Sequence, residues 1–304
     1  MREDLLRLIG EELRLLRAEG LESISLTDET LRILERQPQP RRTQPAAAEP
    51  SNQPQEKIEV PQIKPEAPRP SPAAKKSKVD SSLANPPKIE LPEGSKEEKW
   101  KWLRDRVLNC EVCQKHLNPE KQIVFGVGNL DADIFFCGEA PGADEETKGE
   151  PFVGKAGELL TGMIKAMGLK REEVYIGNIM NWRPQTGNSF GNRPPTDDEM
   201  AFCLPYLKAQ IEVIQPKVIV AMGGTAAKGL LGTETKGQMG RLRGKWYEFS
   251  KTPMMITYHP SYLLHQESVA SKRKVWEDLL AVMEHLEMEI SEKQRNFFLA
   301  ALRK

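Results

Sequence analysis

Apolar residues fall at helical spacing at the start of this chain, thin out over residues 37–94, and return as short runs alternating with helical stripes. Leu5, Leu6, Ile9, Leu13 and Leu16 share one helix face, and "SLTDETLRILE" restarts a short helix after the Thr27–Asp28 cap. Residues 1–36 are therefore expected to form a small helical element. Residues 37–94 hold thirteen of the 23 prolines, with Ala, Ser, Gln and Lys and almost no aromatics, so they predict a disordered linker that cannot bury a core. Its "AAKKSK" tract (73–78) reads as a solvated stretch or a phosphate contact. Folded structure is expected to resume at Ser95, which stands in capping-box spacing to Glu98 ahead of an apolar stripe.

From there the period alternates. Strand-like runs at 132–138 (ADIFFCG), 173–179 (EVYIGNI), 217–223 (KVIVAMG) and 254–259 (MMITYH) are separated by helical patterns near 155–168, 197–214 and 224–231. Such alternation predicts an α/β fold in three layers, a central four-stranded, mostly parallel sheet with helices on both faces. One core domain is expected over 95–290, followed by a C-terminal helix or tail over 291–304. The four runs end in Gly138-Glu139, Asn178, Gly223-Gly224 and His259. In open parallel sheets ligands bind beyond the carboxyl ends of the strands, so one cleft should collect Glu139, Asn178 and His259. A carboxylate, an amide and an imidazole in one cleft suit a planar hydrogen-bonding ligand and hydrolytic chemistry on it.

Composition narrows the class only a little. Lys+Arg and Asp+Glu are both 44 in 304 residues, so total charge does not point to a nucleic-acid partner. No apolar run reaches the ~18 residues of a membrane span, and the acid-containing start is unlike a signal peptide. A cytoplasmic monomer without membrane partners is expected. Four cysteines in such a chain argue against disulfides and ask for another explanation.

The motifs "GEAPGADEETKGEPFVGKAGELL", "VYIGNI", "RP…GNRPP", "RGKWYEF" and "HPSYLL", in this order, resemble family four, the iron–sulfur type, of the uracil-DNA glycosylases. The resemblance covers roughly residues 100–280. It implies a DNA-repair hydrolase that flips uracil out of DNA and cuts its N-glycosidic bond. A non-catalytic nucleic-acid binding module on the same fold, or a glycosylase for another deaminated base, is the alternative.

Residue by residue, the resemblance implies that Phe152 stacks on the flipped base, that Gly138 takes part in binding the substrate, and that Asn178 reads uracil O4 and N3–H. It implies that His259 meets the charge growing on O2, that Glu139 orients water or supports the cationic sugar, and that Glu145 crowds the C5 edge. Arg183, Arg193, Arg241, Arg243 and Lys245 lie in loops near the cleft as candidates for the DNA backbone. "GGTAAKGLLG" reads as close helix–strand packing or a phosphate cradle.

Cys110, Cys113 and Cys203 match three of the family's cluster ligands, but the fourth position is Trp182. Four thiolates are the usual shell of a [4Fe–4S] cluster, so the chain carries a cluster with a differently ligated iron, a zinc site or bare thiols. Cys137 reads as a small buried hydrophobe on its strand. Last, "QRNFF" (294–298) resembles clamp-docking peptides, with Gln294, Phe297 and Phe298 meeting a sliding clamp. The same residues also have helical spacing that would place both rings on the core.

Overall fold

The structure, a computed structural model, describes residues 81–185, 193–232, 238–265 and 268–302. The helical element expected over 1–36 and the linker up to residue 80 lie outside the described residues. Residues 81–94, expected as the linker's end, begin with a 3-10 turn (Ser81–Leu83) and then pack Leu83, Ile89 and Leu91 on the core. Those apolar side chains supply the burial that the proline-rich stretch lacks.

The capping box forms as expected at the head of α1 (Lys96–Leu108): Ser95 Oγ accepts the Glu98 N–H at 3.2 Å, and Glu98 Oε2 accepts the Ser95 N–H at 2.8 Å. After α2 (Glu111–Lys115) come β1 (Val127–Gly128), β2 (Ile134–Gly138), α3 (Ala143–Lys148), α4 (Lys155–Ala166) and β3 (Tyr175–Asn178). The chain continues through α5 (Asp197–Ile214), β4 (Val218–Met222), α6 (Gly224–Leu231), α7 (Met239–Leu242), β5 (Trp246–Phe249) and β6 (Thr252–Thr257). It closes with α8 (Pro260–His265), α9 (Val269–His285), α10 (Glu292–Arg295) and α11 (Leu299–Leu302).

The sheet order is β1-β3-β2-β4-β6-β5. Its four central strands are the expected parallel ones, and the class is the expected α/β. The sheet has six strands rather than four because β1 and β5 add antiparallel edges. The edge β5 escaped the sequence reading for a local reason. The β5–β6 hairpin turns through Ser250 and Lys251, both at positive φ (50° and 69°). Two such residues make a type I′ turn, which asparagine and glycine usually announce.

Burial on both faces explains why the central strands read as continuous apolar runs. Phe135, Cys137, Ile219, Ala221 and Ile256 face Leu103 of α1, Leu207 and Ile211 of α5, and Ala226 of α6. Ile134, Phe136, Val218, Val220 and Met255 face Leu160 and Ile164 of α4 and Leu279 and Met283 of α9. Cys137 is buried, as expected of a small hydrophobe.

The C-terminal segment is tied to the second face. Trp276 Nε1 donates to Gln294 O at 2.6 Å, Gln294 Nε2 donates to Ala166 O at 2.8 Å, and the Phe297 ring lies 5.1 Å from that of Trp276. Phe298 is 39% exposed. Replacing the half-buried Phe297 with alanine should lower the melting temperature, with a cost of about 1–3 kcal/mol. An unchanged melting curve would mean that this ring is not part of the packing.

Candidate active site

Parallel register brings the functional groups to one edge. Gly138 pairs with Asn178 at the ends of β2 and β3, and Met222 pairs with Thr257 at the ends of β4 and β6. Gly223 and His259 lie just beyond. There the structure has a cavity of about 420 Å³ lined by Glu139, Glu145, Phe152, Asn178, Arg183, Arg193 and His259, among others. These are seven of the residues read from the sequence, drawn from segments far apart in the chain.

Missing side chains make this closeness possible. A Cβ on Gly138 would stand 2.4 Å from Asn178 Oδ1 and 2.6 Å from Phe152 Cζ. Gly138 thus lets the amide and the ring converge. The Phe152 ring in turn lies 5.5 Å from that of His259. Asn178 is 6% exposed, and its Oδ1 has no hydrogen-bond partner among the described residues. An unpaired buried acceptor costs about 1–3 kcal/mol, which a ligand N–H would recover.

His259 sits on the loop between β6 and α8. Ser261 donates its backbone N–H to His259 Nδ1 at 3.2 Å, and its hydroxyl lies 2.8 Å from the same nitrogen. Nδ1 is therefore an acceptor, and the ring proton belongs on Nε2. Burial pushes the imidazole pKa down from 6.5 to about 4, against the nearby charge of Glu145, which favours the protonated form. The ring is neutral at pH 7 and still has one N–H to donate. Ser261 escaped the sequence reading; its position two residues after His259 in "HPS" was the available signal.

The acidic pair is divided between two tasks. Glu145 accepts three backbone N–H groups, from Gly142, Val153 and Gly154. Glu146, 2% exposed, accepts Arg183 at 2.8 Å and Asn118 Nδ2 at 2.6 Å. Arg193 holds Glu199 at the head of α5 through two bonds of 2.7 Å. Arg243 forks onto buried Asp278 and lies 5.7 Å over the Tyr258 ring. Arg241 and Lys245 are exposed and, with Arg243, are not among the residues that line the cavity. Gly223 of "GGTAAKGLLG" has φ 94°, and a Cβ there would stand 3.1 Å from His259 Cβ, so the glycine serves close packing beside the imidazole.

The three cysteines gather away from this cavity, at the start of α2 and within α5. Cys113 hydrogen-bonds Cys110 and pulls its thiol down to about 5, with further help from the Tyr206 hydroxyl and against burial. Burial pushes the Cys203 thiol up. Trp182 at the fourth family position is fully buried, its ring 5.1 Å from that of His116 and 6.2 Å from that of Phe202. Its Nε1–H has no hydrogen-bond partner among the described residues. An indole nitrogen is a donor only and cannot ligate iron. No group of three or more His, Cys, Asp or Glu among the described residues is arranged to hold a metal ion. The donor set thus does not complete the shell of a four-thiolate cluster.

A three-layer α/β fold with an amide, an aromatic ring and a neutral imidazole around one cavity at its carboxyl edge defines a protein built to hold a planar polar ring. The chain belongs to the uracil DNA glycosylase superfamily, whose family model matches residues 125–280. It is similar to the type-4 uracil-DNA glycosylase of Thermotoga maritima, with 42% identity over 186 residues, covering 61% of this chain and 93% of that one. The type-4 enzyme of Archaeoglobus fulgidus is 42% identical over 53% of this chain and 80% of its own. That of Saccharolobus solfataricus is 39% identical over 58% and 81%.

Proposed function

We propose that the cavity holds a uracil turned out of DNA and that the chain hydrolyses its N-glycosidic bond, leaving an abasic site. The observation that carries this reading is Asn178 Oδ1, a buried acceptor without a partner among the described residues, in the cavity that Phe152 and His259 also line. Uracil offers N3–H to that oxygen and O4 to the amide's N–H. Cytosine presents an unprotonated N3 and a donor at C4, so it would leave both amide groups unpaired.

In this reading Phe152 stacks on the base, and His259 donates Nε2–H to O2. As the bond to the sugar breaks, negative charge grows on O2, and a fixed N–H aimed there stabilises the transition state more than the bound substrate. Glu139, which follows Gly138 at the mouth of the cavity, orients the attacking water or supports the cationic sugar. Arg241, exposed on α7 rather than in a loop, and Lys245, exposed just before β5, meet the DNA backbone.

The deciding experiment incubates the protein with an oligonucleotide carrying one uracil and then applies alkali, which cleaves at an abasic site. Cleavage with uracil, and none with thymine or hypoxanthine at the same position, is expected. An intact uracil strand overturns the reading.

The buried Trp182 acts as packing where the related pattern has a ligand, and the three remaining thiolates fall one short of the shell of a [4Fe–4S] cluster. Protein purified without oxygen should contain no acid-labile sulfide and still release uracil. Brown protein with stoichiometric iron and sulfide, both lost in Cys110→Ser, would refute this. No helix among the described residues is long and apolar enough to cross a membrane. All four cysteines are free thiols, which supports a reducing, cytoplasmic setting. With Gln294 and Phe297 engaged inside the fold, docking on a sliding clamp would have to rely on Phe298 or on release of this segment.

A further inference from the structure

The resemblance puts Glu145 at the C5 edge of the base, yet its carboxylate is already occupied by the protein's own backbone. Oε2 accepts the Gly142 N–H at 3.0 Å, and Oε1 accepts the N–H groups of Val153 and Gly154, each at 3.0 Å. Two separate segments therefore converge on one side chain. The first is the turn that leaves β2 and carries Glu139; the second is the loop that carries Phe152. A Cβ on Gly142 would stand 2.5 Å from Glu145 Oε2, so glycine is what lets the carboxylate come so close.

Phe152 needs such an anchor. Its φ is 54°, in the left-handed region that side chains rarely adopt. Its carbonyl is also wedged against α4, where a Cβ on Gly157 would lie 1.8 Å from Phe152 O. A backbone in this state persists only when its surroundings over-determine it. The two N–H groups directly after Phe152 are those that Glu145 binds. Without the carboxylate they would be unpaired next to a strained residue, and relaxation of φ would swing the ring away from Asn178 and His259.

We infer that Glu145 is a positioning residue that acts through Phe152, holding the ring as the wall against which the flipped base stacks. This inference rests on the uracil-release reading above. It makes the thymine-excluding effect of Glu145 secondary to its hold on the loop.

Single-turnover uracil release separates the possibilities in a cycle of wild type, Glu145→Ala, Phe152→Ala and the double variant. Each single change should slow release by about 10²-fold, the scale of a misplacement near 1 Å. The double variant should be no slower than Phe152→Ala alone, because Glu145 has nothing left to position. Glu145→Gln keeps an acceptor for Val153 and Gly154 and should recover part of the rate. It also replaces the alanine variant in the cycle if that variant fails to fold.

Multiplicative losses, with the double variant slowed by about 10⁴-fold, overturn the inference. So does a Glu145→Ala enzyme that releases uracil at the wild-type rate and begins to release thymine. Wild-type protein that releases no uracil would instead defeat the reading on which the inference rests.

Discussion

Asn178→Asp is expected to slow uracil release by on the order of 10³-fold or more, while the protein stays folded. The carboxylate keeps an acceptor for N3–H but has no donor for O4, and it sets a negative charge against the lone pairs of that oxygen. The site is poorly placed to soften this change. Asn178 is 6% exposed, Gly138 brings the backbone of β2 against it, and the Phe152 ring closes the other side. A buried charge beside an unpaired acceptor is the costly combination for a polar site. Single-turnover rates measured on a uracil oligonucleotide check the expectation. Equal rates in variant and wild type would remove Asn178 from base recognition and leave its orphaned Oδ1 without an explanation.

His259→Ala should lower the chemical step by about 10²–10³-fold and weaken DNA binding much less, because the charge that His259 meets appears only as the bond breaks. An unchanged chemical rate with weakened binding would make the residue a docking contact. The same imidazole makes a second expectation, in pH. Its folded-state pKa of about 4 lies below the ordinary 6.5, so between these values the unfolded chain binds a proton that the folded one refuses. Stability from this group is complete above about pH 6.5 and is lost as pH falls towards 4. His259→Gln should therefore lose less melting temperature than wild type over that window. Parallel melting curves from pH 7 to 4 would contradict the buried neutral state. In catalysis the ring stays neutral down to about pH 5, so activity should not fall through the ordinary histidine range on its account.

Much of this was legible along the chain. The apolar runs that became β2, β3, β4 and β6 announced themselves because strands buried on both faces need uninterrupted apolar side chains. The polar or glycine residues at their ends announced the cleft, because parallel strands all present their carboxyl ends on one side. The helix start at Ser95 was written in capping chemistry that acts within one turn. Local signals of this kind survive without tertiary context.

Other features depended on it. The hairpin through Ser250 and Lys251 is held by strand pairing rather than by turn-forming residues, so β5 gave no warning. Arg183, Arg193 and Arg243 looked alike as loop cations. Only the fold brought Glu146, Glu199 and Asp278 within reach of them, and a partly buried guanidinium beside a carboxylate becomes part of the scaffold. Glu145 and Glu146, adjacent in sequence and equally acidic, were separated by direction alone: one side chain turns to the backbone around Phe152, the other to Arg183 and Asn118. The sequence by itself determined the fold class, the cleft and the residue types that fill it, because periodicity and strand ends are properties of neighbouring residues. The tertiary structure alone decided which charges are tied up and which groups remain for a ligand, because hydrogen-bond partners distant in sequence meet only when the chain has packed.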